Sequence, residues 1–316
     1  MPPDVRQFAR GAAALPAVWL LAVFLTAPSA TTLARVLAGG MLAVSYSDPV
    51  AGLLLVAMLA PLGPLFPARP SGGPLSPADA LVLAFLIGWL AQRRDTRPGP
   101  RLPPAAGTAA ALFVCVYLFT TRPATASHTV PVIEGLGLTV ATIELLRRRP
   151  VVAVRLPLAL VAAMGVRALS SSGGVTEGSV MIACVAVGMA IREHGRRRVG
   201  WGIAGAMALV RLSTPVRAAQ NSYARIATEA GWAGAALFVI FLGAALWGIG
   251  QGVAASPRDA RLLGCTAGIL AFVGGCIAGD PLRMPNAAVP FWLLFGLTMA
   301  LAGSSVLRRQ EASRAT

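Results

Sequence analysis

GWAGAALFVIFLGAALWGIGQ, residues 231–251, runs for twenty-one positions without a charge. At 1.5 Å per residue a helix of that length reaches about 30 Å, the thickness of the hydrocarbon core of a bilayer. A helix closes its own backbone hydrogen bonds within the segment, which lipid demands of any chain that crosses it. The stretch therefore reads as a transmembrane helix. Working outward, apolar runs of similar character fall at 12–28, 33–46, 49–66, 78–92, 105–121, 129–146, 151–169, 176–192, 198–212, 259–278 and 286–306. Composition agrees: 56% of the residues are hydrophobic, 12% are charged and the mean hydropathy is +0.71. A soluble globular chain is about a quarter charged. The helical signal is strong and β alternation is slight, which argues against a membrane barrel. The expectation is an all-α polytopic membrane protein of about twelve transmembrane helices. It forms a single membrane domain over residues 1–316, with no soluble domain. The least distinct boundary is SYSDP at 45–49, which alone divides the second and third runs.

The formal net charge is +15, yet the arginines are spent on topology rather than on nucleic acid. All 27 basic residues are arginine. Arg6 and Arg10 precede the first run. Arg93, Arg94, Arg97 and Arg101 follow the fourth, Arg147–Arg149 the sixth, and Arg192 and Arg196–Arg198 the eighth. Arg258 and Arg261 follow the tenth, and Arg308, Arg309 and Arg314 the last. Positive residues collect in cytoplasmic loops, so every even-numbered helix ends inside and both termini are cytoplasmic. Four cysteines, Cys115, Cys184, Cys265 and Cys276, lie inside apolar runs without C-x-x-C spacing or histidine partners. They read as small buried hydrophobes, not as metal ligands or disulfides. The first run carries no convincing cleavage site for a signal peptide.

That topology leaves Arg69, Arg122, Arg167, Arg211, Arg217, Arg225 and Arg283 at or near the outer face, with Glu134, Glu177, Glu229 and Asp280. Ionisable groups at membrane depth tend to be functional. The ordinary alternative is that each arginine snorkels to headgroups or pairs with one of those acids. As a set, they would suit a phosphate or diphosphate, which guanidinium binds in bidentate fashion. The densest polar passage on that face is RAAQNSYARIATEAGWAG, residues 217–234, and the segment 213–231 is expected to be an extracytoplasmic loop.

Within it, Asn221 and Tyr223 are followed by Glu229, Gly231 and Gly234, leading directly into the opening run. This order resembles the signature of the O-antigen ligase and polymerase superfamily, a His-Asn-x-Tyr/Phe element followed by Glu-x-Gly-x-x-Gly. GDPLRMPNAAVPFWLLFGLTMAL at 279–301 looks like that family's last outer loop and closing helix. GGPLSPADALVLAFLIGWL at 72–90 resembles an early outer loop and helix. The resemblance implies a helical bundle of the GT-C type in the bacterial plasma membrane, with its site facing the extracytoplasmic side. It implies a glycosyltransferase that needs no metal or other cofactor. The enzyme would pass a glycan from an undecaprenyl-diphosphate carrier to a glycan or lipid acceptor. On this resemblance Gln220, Asn221 and Glu229 fall at catalytic positions. Arg167, Arg211, Arg217, Tyr223 and Arg283 would meet the substrate.

Three departures stand out. Gln220 occupies the motif histidine position, and a neutral amide can orient a hydroxyl but cannot accept its proton. GGVTEGS at 173–179 carries no arginine where many members have a Ser-Arg pair. Only STPVRAA separates the run at 198–212 from Gln220. Two alternatives remain open: a non-catalytic relative that binds lipid-linked glycans, and a transporter or flippase of lipid-linked sugars. His128 and Glu134 could face one cavity, or be an ordinary loop histidine and a paired acid. Glu229 suits a brace at the helix entrance as well as a chemical role, and Tyr223 suits packing at the interface as well as contact with a sugar. No P-loop, dinucleotide-binding glycine pattern or metal-ligand pair at helical spacing occurs.

Overall fold

A computed structural model describes residues 17–26, 31–65, 75–92, 104–120, 126–170, 177–192 and 221–315. At a few of these positions, among them His128, Arg167 and Arg283, only the backbone is described. The run at 198–212 lies outside the described residues, as do Arg211, Arg217 and Gln220.

The described chain is helical, with no strand. In order, its α-helices are α1 (Ala17–Thr26), α2 (Thr32–Ser47), α3 (Pro49–Leu59), α4 (Pro77–Gln92), α5 (Pro104–Thr120) and α6 (Ala126–Arg148). They continue with α7 (Val152–Ser170), α8 (Glu177–Arg192), α9 (Ser222–Ala255), α10 (Ala260–Ala278) and α11 (Pro285–Ala315). Three of them, over Ser222–Ala255, Ala260–Ile277 and Pro285–Arg314, are long and apolar enough to cross a membrane. Shorter apolar helices account for Ala17–Thr26, Pro49–Leu62, Pro77–Gln92, Ala106–Val116, Val152–Ala163 and Val180–Arg192.

The indistinct boundary at 45–49 is a turn of one residue. Asp48 ends α2 by donating its N–H to Val44 O at 2.7 Å, and starts α3 by accepting from Val50 N at 3.1 Å. Pro49 occupies the first helical position, where its missing N–H is no loss. The third run does not stay α-helical to its expected end at 66. Through Ala60–Leu65, with prolines at 61 and 64, the chain tightens into a 3-10 helix. Proline removes the N–H that an α-turn needs, and such tightening is a common outcome.

Helix directions follow from side-chain and backbone neighbours. Gly135 of α6 lies under the Trp292 indole of α11, and Thr139 and Thr142 pack on Gly296 one turn further along, so α6 and α11 run parallel. Gly88 of α4 packs on Ser45 of α2, and Gln92 Nε2 donates to Ser47 O at 3.2 Å, giving a second parallel pair. Helices α8 and α10 run antiparallel. A Cβ on Gly188 would stand 2.6 Å from Ala260 O, while Gly268 packs on Met181. Small residues permit such close backbone approach, and membrane bundles use them for that purpose.

These directions place Asp48, Arg149, Arg192, Arg258, Arg261 and Arg308 at one end of the bundle. The beginnings of α4, α6, α9 and α11 lie at the other. The tie between Arg149 and Asp48, 3.3 Å from Nη1 to Oδ2, joins the end of α6 to the α2–α3 turn.

Helix α11 is the axis of the bundle. In its apolar window 89% of the residues are buried, against 33% for α9 and 39% for α10. Phe291, Trp292 and Phe295 meet Phe272 of α10 and Phe241 of α9, with Phe272 stacked on Phe291 at 4.3 Å between ring centres. Phe238 carries the contact on to Phe113 of α5 at 5.3 Å. Aromatic pairs at these separations add to the contribution of burial alone. The cysteines are free thiols. Cys265 and Cys276 are buried as expected, Cys184 is intermediate, and Cys115 lies on the exposed face of α5.

Candidate functional site

The motif segment is more ordered than a loop. Asn221 takes extended backbone angles and its side chain accepts from Ala224 N at 2.5 Å, so a helix begins at Ser222 inside the segment expected to be a loop. An asparagine at this position satisfies one of the N–H groups that the first turn leaves open. The helix then breaks at Gly231, whose φ of +70° and ψ of 174° lie in a region essentially reserved for glycine. Residues 222–230 thus form a short helix set at an angle to the membrane-length helix that follows. Trp232, next after the break, is almost fully exposed. Aromatic side chains of this kind favour the membrane–water boundary.

The short helix is tied to the turn after α10. Ser222 N donates to Gly279 O at 3.0 Å and Ser222 Oγ donates to Asp280 Oδ1 at 2.7 Å. Arg225 Nε stands 2.8 Å from Asp280 Oδ2, a charge contact that is misaligned for a hydrogen bond. The Glu229 carboxylate lies 3.9 Å from Arg225 Nη1. Arg225 is buried, and the Asp280 and Glu229 side chains are each only 10% exposed. A buried guanidinium needs such partners, because an unpaired buried charge is strongly destabilising. Arg283 follows in the 3-10 turn Pro281–Arg283, one step beyond the tied carboxylate.

The three residues of the expected site whose side chains are described are thereby located. Asn221 is the helix cap. Tyr223 donates its hydroxyl to Val273 O at 3.1 Å, and its ring packs against Phe238 at 6.3 Å. Glu229 faces Arg225. The backbones of Arg167, near the end of α7, and of Arg283 lie at this same end of the bundle. Gln220, Arg211 and Arg217 precede Asn221 and lie outside the described residues, as does the side chain of His128.

A second feature at this end was read only in part: Glu134 was a candidate to face a cavity, and Asp79 was not singled out. A small cavity is lined by Asp79 of α4, Pro131 and Glu134 of α6, and Pro285 and Trp292 of α11. Both carboxylates are buried. Asp79 closes a reciprocal cap with Ser76: Ser76 N donates to Asp79 Oδ2 at 2.7 Å, and Asp79 N donates to Ser76 Oγ at 3.2 Å. The signal was present in SPAD, residues 76–79, as Ser-x-x-Asp before an apolar run. Among the described residues, no group of three or more His, Cys, Asp or Glu is placed to hold a metal ion.

Comparison of the chain with protein-family models, with curated proteins and with solved structures finds no match.

Proposed function

We propose that this chain is a membrane glycosyltransferase of the O-antigen ligase and polymerase type. It moves a glycan from an undecaprenyl-diphosphate carrier to a glycan or lipid acceptor at the outer face of a bacterial plasma membrane. The observation that carries this reading is the junction of the two segments that resemble that family. Residues 221–234 and 279–301 are far apart in sequence, and Ser222 and Arg225 bind Gly279 and Asp280 at one end of an all-helical bundle.

Twelve spans with both termini cytoplasmic set that end outside, away from Arg149, Arg192 and Arg308. The carrier diphosphate is then met by Arg217 and Arg283, which flank the junction in sequence, together with Arg211 and Arg167. Gln220 orients the acceptor hydroxyl by hydrogen bonding. Arg225 is excluded from ligand contact, since two carboxylates already occupy it.

One observation favours a second reading, a non-catalytic relative that binds lipid-linked glycans. Asn221, Tyr223 and Glu229 are each engaged in capping, packing or ion pairing. A neutral glutamine stands at the motif histidine position. Both readings share the ligand and differ in turnover.

The test uses purified protein in nanodiscs and an undecaprenyl-diphosphate-linked oligosaccharide. Wild type is expected to bind it, and the Arg217→Ala, Arg283→Ala double variant to lose that binding. Glycan release over time then separates transferase from binder. Absence of binding by wild type would sink both readings.

A further inference from the structure

We infer that the converging ends of α8, α10 and α11 form a site for the phosphate headgroup of an anionic phospholipid, at the end of the bundle opposite the motif. The inference stands apart from the function proposed above and uses none of its residues.

Three arginines from three helices stand at this end. Arg192 ends α8, Arg261 begins α10, and Arg308 lies in the last part of α11. The glycine contact between Gly188 and Gly264 brings α8 and α10 together just above them. A Cβ on Gly264 would stand 2.7 Å from Gly188 Cα. Arg192 and Arg308 are close enough that both charges act on Arg261. Arg261 Nη1 reaches Ala153 O at 3.5 Å, while its Nε is buried and makes no hydrogen bond among the described residues. Asp259 shares this corner but is committed to its helix, accepting from Arg261 N at 3.2 Å and Leu262 N at 3.3 Å. Glu311, one turn beyond Arg308, is exposed; the three guanidinium groups outnumber the two carboxylates, and like charges gathered this way favour an anion beside them.

The surface beside the arginines identifies the kind of anion. Val187 and Ile191 of α8, Leu263 of α10 and Leu307 of α11 are large apolar residues exposed on the same three helix ends. Exposed apolar side chains on the helix ends that carry the arginines match an acyl chain running below a headgroup held at those ends. Basic pockets between membrane helices bind anionic lipid headgroups on this pattern.

The experiment titrates the delipidated protein with phosphatidylglycerol or phosphatidylcholine and counts bound lipids by native mass spectrometry. Wild type is expected to retain phosphatidylglycerol selectively. The Arg192→Gln, Arg308→Gln variant should bind it roughly thirtyfold more weakly, the effect of two arginines at a charged leaflet. Arg149→Gln, Arg314→Gln removes the same charge from the same end and should leave retention unchanged. If the first pair fails to purify, Arg308→Gln alone, at an exposed position, gives the same comparison at roughly a fifth of wild-type affinity. Equal losses in both pairs, or no selectivity in wild type, would overturn the site. Displacement of the lipid by millimolar glycerol phosphate would overturn the lipid assignment, leaving a site for phosphate alone.

Discussion

Replacing Gly231 with alanine isolates the contribution of one backbone angle. A Cβ added there meets nothing within 4 Å, so sterics with the rest of the bundle play no part. The penalty is conformational, because φ of +70° with ψ of 174° is accessible to glycine and hardly to alanine. Holding a non-glycine residue in such a region costs about 1–3 kcal/mol. For a chain of this size, about 2 kcal/mol lowers the unfolding midpoint by roughly 3 °C. Gly243, twelve residues along the same helix, supplies the control. It too has nothing within 4 Å of an added Cβ, but its backbone is helical. Gly243→Ala should therefore be neutral or stabilise by up to about 1 kcal/mol, the difference in helix propensity. The assay is thermal unfolding of both variants in identical nanodiscs, followed by tryptophan fluorescence. Trp232 adjoins the break, so its emission should shift in Gly231→Ala and not in Gly243→Ala. If the two variants melt together with the same emission, α9 is continuous through residue 231, and the angled helix at 222–230 does not exist.

Removing the buried cation by Arg225→Ala leaves Asp280 and Glu229 without it, and should destabilise by about 3–5 kcal/mol. The Arg225→Met, Asp280→Leu pair should lose clearly less than the sum of its single changes in the same melting assay, and additive losses would disprove the tie. Gly135→Ala pushes a methyl onto the Trp292 indole, an overpacking worth about 1–3 kcal/mol. A second change, Trp292→Leu, should recover part of that loss, whereas Trp292→Leu alone should destabilise. Asn221→Ala removes a cap and should lower stability by about 1 kcal/mol. Asn221→Asp keeps an acceptor at the same place and should be tolerated.

Helix existence was legible in the sequence because lipid enforces it: the runs at 78–92, 105–121, 151–169, 176–192 and 259–278 match α4, α5, α7, α8 and α10 within a residue. Ends were less legible where hydropathy is silent. The run at 286–306 ends where its apolar stretch ends, yet α11 continues to Ala315, since VLRRQEASRA carries good helix formers and no breaker. The run at 231–251 misses nine helical residues before it, because polar Ser222–Ala230 gains its order from the Asn221 cap and the ties to residues 279–280. At the site, spacing along the chain drew attention to Asn221, Tyr223, Glu229 and Gly231. It could not say that Arg225 spends its charge on Asp280, 55 positions away, because pairing across helices depends on which ends meet. Asp79 stayed unread for a similar reason, its burial arising only when α6 and α11 close over the start of α4.

The burial of α11 has a consequence for biosynthesis. The helix at the axis of the bundle is also the last described one to leave the ribosome. At 5–20 residues per second, the first helices wait on the order of tens of seconds, and α9 and α10 a few seconds, for the element they pack around. During that interval Phe241, Phe272 and the glycine faces of α6 and α9 have only lipid, or a membrane chaperone, against them. Assembly of this chain is therefore post-insertional at its centre, and a nascent chain arrested before Pro285 should be a preferred substrate for membrane quality-control proteases.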